Sequence, residues 1–144
     1  FSNMSFLAKT TFQQRFIDAL NGNEDFQTQA QAFDGSILIQ VDADQLWLKI
    51  YKGRVIDHEQ FAPVFGYTFK LSGTQASWRL LIDGKRRWAD LTVAGKRHFD
   101  DDPTLKTLDP DYLEISTEGN LLEAARLTEA TYLLAYTLRD TAKD

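Results

Sequence analysis

The chain contains no cysteine. It can therefore hold no disulfide framework, no thiolate metal site and no cysteine nucleophile, and it suits a reducing compartment. Histidine is scarce as well: His58 and His98 lie in separate segments, and neither a His-Glu-x-x-His zinc pattern nor a Gly-x-Ser-x-Gly elbow occurs. Gly53, Gly66, Gly73 and Gly84 are isolated, so no glycine-rich loop is present to cradle a phosphate. No run of about eighteen apolar residues and no basic-then-apolar leader is found, so neither a transmembrane helix nor a signal peptide is expected. The first residue is Phe1 and not Met, a start that processing or trimming would give. A cytoplasmic location is the default expectation. A basic surplus is missing too: the formal net charge is -5, and without a basic patch or stripe a nucleic-acid partner is not expected.

What is present is ordinary in amount and uneven in kind. Hydrophobic residues at 43% and charged residues at 26% are normal for a globular protein, and 144 residues are most economically one domain, 1–144. A domain of this size buries roughly two-thirds of its unfolded surface, enough for one sound core. Aromatic residues make up 12%, with ten Phe, five Tyr and three Trp, so the core is expected to be rich in rings.

Periodicity divides the chain. Phe12, Phe16 and Leu20 recur at helical spacing, which predicts a helix over about Ser5 to Asn21 with Gly22 as its stop. Asn23 then caps a shorter helix, about Glu24 to Phe33, carrying Phe26, Ala30 and Phe33 inward until Asp34-Gly35 breaks it. From Ser36 the period becomes two. Ile37, Ile39 and Val41, and after the turn at Asp42 to Asp44 also Leu46, Leu48 and Ile50, alternate with the opposite face and predict an antiparallel hairpin. Lys52-Gly53 leads into a short strand near Arg54 to Glu59; a loop through Pro63 and Gly66 follows, then a strand Tyr67 to Ser72. A helix over about Gln75 to Asp83 turns Trp78, Leu81 and Ile82 inward, with Gly84 as its stop. Trp88, Leu91 and Val93 fit a short helix or an extended run equally. Lys96 to Asp111 reads as an exposed polar excursion, and Tyr112 to Thr117 as a last strand.

The closing stretch Asn120 to Asp140 reads as one helix, with Asn120 as N-cap and Glu123 completing a capping box. Leu127, Leu134 and Leu138 form one apolar stripe, while Leu122, Tyr132, Leu133 and Tyr136 cover much of a second arc. Two apolar arcs call for two neighbours: a deep dock in a core, or a sheet on one side and an apolar ligand on the other. The order of helices, antiparallel strands, helix, strand and helix makes an α+β domain.

Three local spellings carry a resemblance. NEDFQTQAQAFDGSILIQV runs from a helix into a strand through Phe33-Asp34-Gly35. YTFKLSGTQASWRLLIDGK joins a strand, a polar turn and a mid-chain helix holding Trp78 and Leu80-Leu81, and LEISTEGNLLEAARL turns a last strand into the closing helix. In these pieces and in their order the chain resembles the small single-domain members of the sterol carrier protein type-two family, from about Thr10 to Arg139. The resemblance implies a curved, mainly antiparallel five-stranded sheet covered on one side by helices, with an apolar tunnel between the sheet and the mid-chain and C-terminal helices. It also implies non-catalytic binding of an acyl chain, acyl-CoA, sterol or phospholipid, with no cofactor. Lys96 to Asp111 looks like an insertion relative to the family, and the chain ends Thr141-Ala142-Lys143-Asp144 without the peroxisomal tripeptide of some members.

Hydrocarbon burial is worth roughly 0.8 kcal/mol per methylene, so an apolar cavity needs few polar groups to hold a long chain. Phe65, Phe69, Trp78, Leu81, Trp88, Leu122, Tyr132 and Tyr136 are the candidate lining, each weighed against plain core; the Tyr and Trp tips suit a partly wet cavity. Lys85-Arg86-Arg87 beside Trp88 could hold an anionic head group or make transient contact with a membrane surface. A solvated turn is favoured, since three charges fall short of the about four to eight of a lipid-surface patch. Asp100 to Asp102 lacks the spacing of a calcium loop and reads as solvated, so no metal is expected.

Two other classes compete with a carrier. A small α+β isomerase or cyclase for a steroid-like or polyketide substrate would use Asp57 or His58 as a general base in an apolar pocket, although neighbours on a strand point to opposite faces. An accessory module would instead offer an exposed apolar patch to a protein partner.

Overall fold

The computed structural model describes residues 6–64, 66–84 and 115–143. A single 3-10 turn, Phe6–Ala8, precedes α1 (Thr10–Asn21) and α2 (Glu24–Gln29). Three strands follow, β1 (Asp34–Val41), β2 (Asp44–Tyr51) and β3 (Arg54–Glu59), then β4 (Phe69–Gly73) and α3 (Gln75–Ile82). The last described elements are β5 (Ser116–Gly119), α4 (Leu121–Arg126) and α5 (Thr128–Lys143). The five strands form one sheet in the order β3-β2-β1-β4-β5. Every neighbouring pair is antiparallel except β1 with β4, which run parallel.

Local chemistry sets the helix starts. The side chains of Asn23, Thr74 and Asn120 accept hydrogen bonds from the backbone N–H groups of Phe26, Ser77 and Glu123, each satisfying an otherwise unpaired donor of the first turn. Lys9 has no such cap to offer. The expected first helix accordingly does not begin at Ser5: Lys9 is extended, and before it the chain makes only a tight turn that buries Leu7 and sets Phe6 edge-on to Phe12. The second helix also stops short of Phe33, because the chain turns after Ala30 to bring the Phe33 ring to 6.1 Å from that of Phe69.

The larger correction concerns the closing helix, which is two helices and not one. At Leu127 the backbone leaves helical geometry (φ -103, ψ 23), its N–H shared between the carbonyls of Glu123 and Ala124. The break lets α4 lie against β4 and β5 while α5 packs on α1, α2 and α3. One straight helix could not do both.

Helices cover one face of the sheet, on which Ile37, Ile39 and Val41 of β1 and Leu46, Leu48 and Ile50 of β2 are buried in one continuous cluster with α1, α3 and α5. The other face is not bare. Leu38 and Trp47 are cross-strand partners there, only 1% and 4% exposed. In the connection from edge strand β3 to β4, on the far side of β1, residues Gly66, Tyr67 and Thr68 lie beside Trp47 on this face. Ala62 N–H donates to Gln45 Oε1, Thr68 N–H donates to the Ser36 carbonyl, and the Thr68 hydroxyl accepts from Ser36 N–H.

Two contacts fix the outer strand. The Asn21 side chain accepts from Val55 N–H at 2.8 Å and donates to the Val55 carbonyl at 3.1 Å, so an amide at the end of α1 takes the place of a further strand. At the β2–β3 turn, Lys52 and Gly53 both have positive φ, as a tight primed turn requires. Gly53 also lies so close to α2 that a Cβ there would stand 2.3 Å from the Gln27 carbonyl oxygen, whereas a Cβ on Gly84, at similar φ, would meet nothing within 4 Å among the described residues. Equilibrium urea denaturation should separate the two effects. Gly84→Ala is expected to lose about 1–2 kcal/mol from its left-handed conformation alone. Gly53→Ala should lose about 1–3 kcal/mol more, because backbone must move to admit the methyl group.

Candidate apolar ligand site

The interface between the sheet and the mid-chain helix is assembled from its two ends. Gly73 closes β4, and its carbonyl accepts from Asp42 N–H at the tip of the β1–β2 hairpin. The Asp42 carboxylate in turn accepts from Gln75 N–H, so hairpin tip and α3 are joined at the helix start. Past that joint, Trp78 and Leu81 turn inward at i and i+3 and are fully buried in the cluster that also holds Phe69 and Leu71 of β4. The Trp78 indole N–H donates to the Gln40 carbonyl at 3.0 Å, which fixes the ring across β1.

The structure thus gathers Phe69, Trp78 and Leu81 into one interior. The other candidates are placed differently. Tyr132 and Tyr136 contact each other on α5 with ring centroids 4.6 Å apart; Tyr136 is half-buried against the core under the Arg139 guanidinium, whereas Tyr132 is 46% exposed. Leu122 stands on α4, 81% exposed and beside the exposed Leu121, and is not part of the buried cluster. Phe65 and Trp88 lie outside the described residues, as do Lys85-Arg86-Arg87, His98, Asp100 to Asp102 and the rest of the 96–111 excursion.

Leu127, at the break, and Leu134 and Leu138 of α5 are buried as expected, together with Ala130 and Ala135. The midpoint of this stripe is not a leucine. Thr131 stands at i+4 from Leu127 and at i-3, i-4 and i-7 from Leu134, Ala135 and Leu138, at the centre of the face turned into the core, and is 9% exposed. Its hydroxyl makes no hydrogen bond among the described residues. Thr128, Thr137 and Thr141 behave otherwise, each donating back to a carbonyl of the preceding turn. Sequence reasoning passed over Thr131 because the leucines around it define the stripe without it.

On the opposite face of the sheet, Trp47 and Tyr67 with Gly35, Ser36 and Thr68 line a recess of ≈ 480 Å³, at whose side Lys49 pairs with Asp34 at 3.1 Å.

The residues expected of an enzyme are not in an apolar setting. Asp57 and His58 are both exposed on the edge strand β3, and the Asp57 carboxylate accepts from the His58 backbone N–H at 2.8 Å. Among the described residues no group of His, Asp and Glu gathers to hold a metal ion, and no helix is long and apolar enough to cross a membrane.

No family model matches the sequence, and no curated protein is similar to it in sequence. Solved structures are similar in fold. A crystal structure of sterol carrier protein 2 superposes with a TM-score of 0.66 at 16% identity, over 94% of this chain and 98% of that one. The chain has the sterol carrier protein 2 fold. A conserved hypothetical protein from Thermus thermophilus, solved in solution, gives 0.63 at 16% identity over 99% of this chain and 93% of that one. Apo sterol carrier protein 2 from Yarrowia lipolytica gives 0.50 at 13% identity over 94% of both. The α+β class and the five-stranded, mainly antiparallel sheet agree with the expectation from sequence; the parallel β1–β4 pair makes the sheet mixed.

Substitution at Trp78 tests how the interior of this fold is used. Trp78→Ala should cost about 3–5 kcal/mol in urea denaturation if the ring is packing alone. Trp78→Phe should cost about 1–3 kcal/mol, chiefly for the Gln40 carbonyl left without its donor. A markedly smaller loss for Trp78→Ala, together with weakened uptake of an apolar ligand, would instead mark the ring as the wall of a chamber.

Proposed function

We propose that this protein binds an apolar small molecule, a fatty acyl chain, sterol or similar lipid, between its sheet and its α3 and α5 helices, and carries it unchanged. The observation that supports this reading most directly is the fold. It is shared over 94% of the chain with a sterol carrier protein 2 structure. The chemistry of the interior agrees: Phe69, Trp78 and Leu81 offer apolar and aromatic surface with the one indole N–H already committed to the backbone. Binding there draws on hydrocarbon transfer at roughly 0.8 kcal/mol per methylene and asks for no activated nucleophile, base or metal. On α5, Tyr132 is exposed and touches the half-buried Tyr136, so in this reading the pair leads from the surface toward the interior.

Native mass spectrometry of the protein as purified, followed by organic extraction, tests this directly. The expected result is a stoichiometric lipid or acyl species that is released chemically unaltered. Protein that is bare as purified and takes up no fluorescent fatty acid would sink the reading.

A further inference from the structure

We propose that Thr131 is the polar anchor of the internal site, and that the ligand is an apolar molecule bearing one uncharged oxygen function, an alcohol or a carbonyl. The inference rests on the carrier reading above and adds what that reading leaves open, the chemistry of the ligand's polar end.

A polar residue at the centre of a buried leucine stripe costs stability unless its hydroxyl finds a partner. The usual partner is at hand, the carbonyl of Leu127 one turn back, yet that carbonyl accepts only from the Thr131 backbone N–H at 2.8 Å and the hydroxyl goes unpaired among the described residues. Three other buried polar side chains do have partners: Gln13 donates to the Leu7 carbonyl, Ser77 to the Thr74 carbonyl and Thr141 to the Thr137 carbonyl. Thr131 belongs to the face of α5 turned into the cluster that also holds Phe69, Trp78 and Leu81, and α5 packs on α3, which carries Trp78 and Leu81; a molecule held between the two helices and the sheet would be placed to reach this hydroxyl.

A threonine hydroxyl both donates and accepts, which suits an alcohol or a carbonyl equally. An ionised carboxylate is a poor match. Among the described residues the buried ones include no Lys, Arg or His, and a desolvated charge without a countercharge is strongly disfavoured.

The test compares pyrene-labelled dodecanol, dodecane and dodecanoate, alike except at the chain end, in fluorescence titrations of the wild type, Thr131→Val and Thr131→Ser. The wild type should prefer the alcohol over the other two by about tenfold, the worth of one buried hydrogen bond. Thr131→Val should bind alcohol and alkane equally, with alkane affinity unchanged and Tm raised by a few degrees; Thr131→Ser should keep the preference. Discrimination that survives in Thr131→Val, or a wild type that does not discriminate, overturns the assignment while leaving the carrier reading intact. Dodecanoate bound as tightly as the alcohol overturns the uncharged class. Uptake of none of the three probes by the wild type overturns the carrier reading and this inference with it.

Discussion

The parallel pairing of β1 with β4 is the constraint from which the rest of the architecture follows. A hairpin can lay β2 beside β1 and β3 beside β2, but a parallel neighbour requires the chain to cross the sheet. The crossing is made along the outer face, where Gly66, Tyr67 and Thr68 lie beside Trp47, and it delivers Phe69 next to Ile37 in register. Because β4 then runs in the same direction as β1, it ends beside the hairpin tip, and α3 begins where the Asp42 carboxylate accepts the Gln75 N–H. Trp78 reaches the Gln40 carbonyl only from that starting point. The central strand is consequently buried on both faces, as its nearly unbroken apolar run Ile37-Leu38-Ile39 requires.

The second organising feature is the break at Leu127. Helices α4 and α5 have different tasks: α4 caps the β4–β5 edge without burying a side chain of its own, while α5 threads between α1, α2 and α3. The break also changes the phase of the helical face. A wheel drawn through Asn120 to Asp140 as one helix puts Leu122 on the arc of Tyr132, Leu133 and Tyr136, but a change of direction at Leu127 removes the relation on which that grouping depends. Leu133 and Tyr136, both beyond the break, do pack on the core; Leu122, before it, does not.

This contrast shows what could be read from the residues and what could not. Features set within one turn or one strand were legible: the caps at Asn23 and Asn120, the alternation that sends Ile37, Ile39 and Val41 to one face, and the inward positions Phe69, Trp78 and Leu81. Features that depend on partners distant in sequence were not. Nothing near Asn21 announces that its amide pairs with Val55, and no local pattern distinguishes a parallel β4 from an antiparallel one. Thr131 belongs to an intermediate class. Its position in the stripe is evident from spacing, but threonine in a helix ordinarily bonds back to its own carbonyls, and only the folded chain shows that this one does not.

The interior also bears on how a ligand would be chosen. Phe69, Trp78 and Leu81 are already fully buried, so an entering hydrocarbon exchanges one set of apolar contacts for another and does not simply fill open space. For such an exchange the gain per methylene is reduced by the packing that is displaced, and chain length alone discriminates weakly. A hydroxyl without a partner behaves differently. No described group of the interior satisfies it, so a ligand group that does adds a contact without displacing an equivalent one. In an interior built of hydrocarbon, selectivity would therefore concentrate at the rare polar atom, whereas the apolar surface would set how strongly any chain is held.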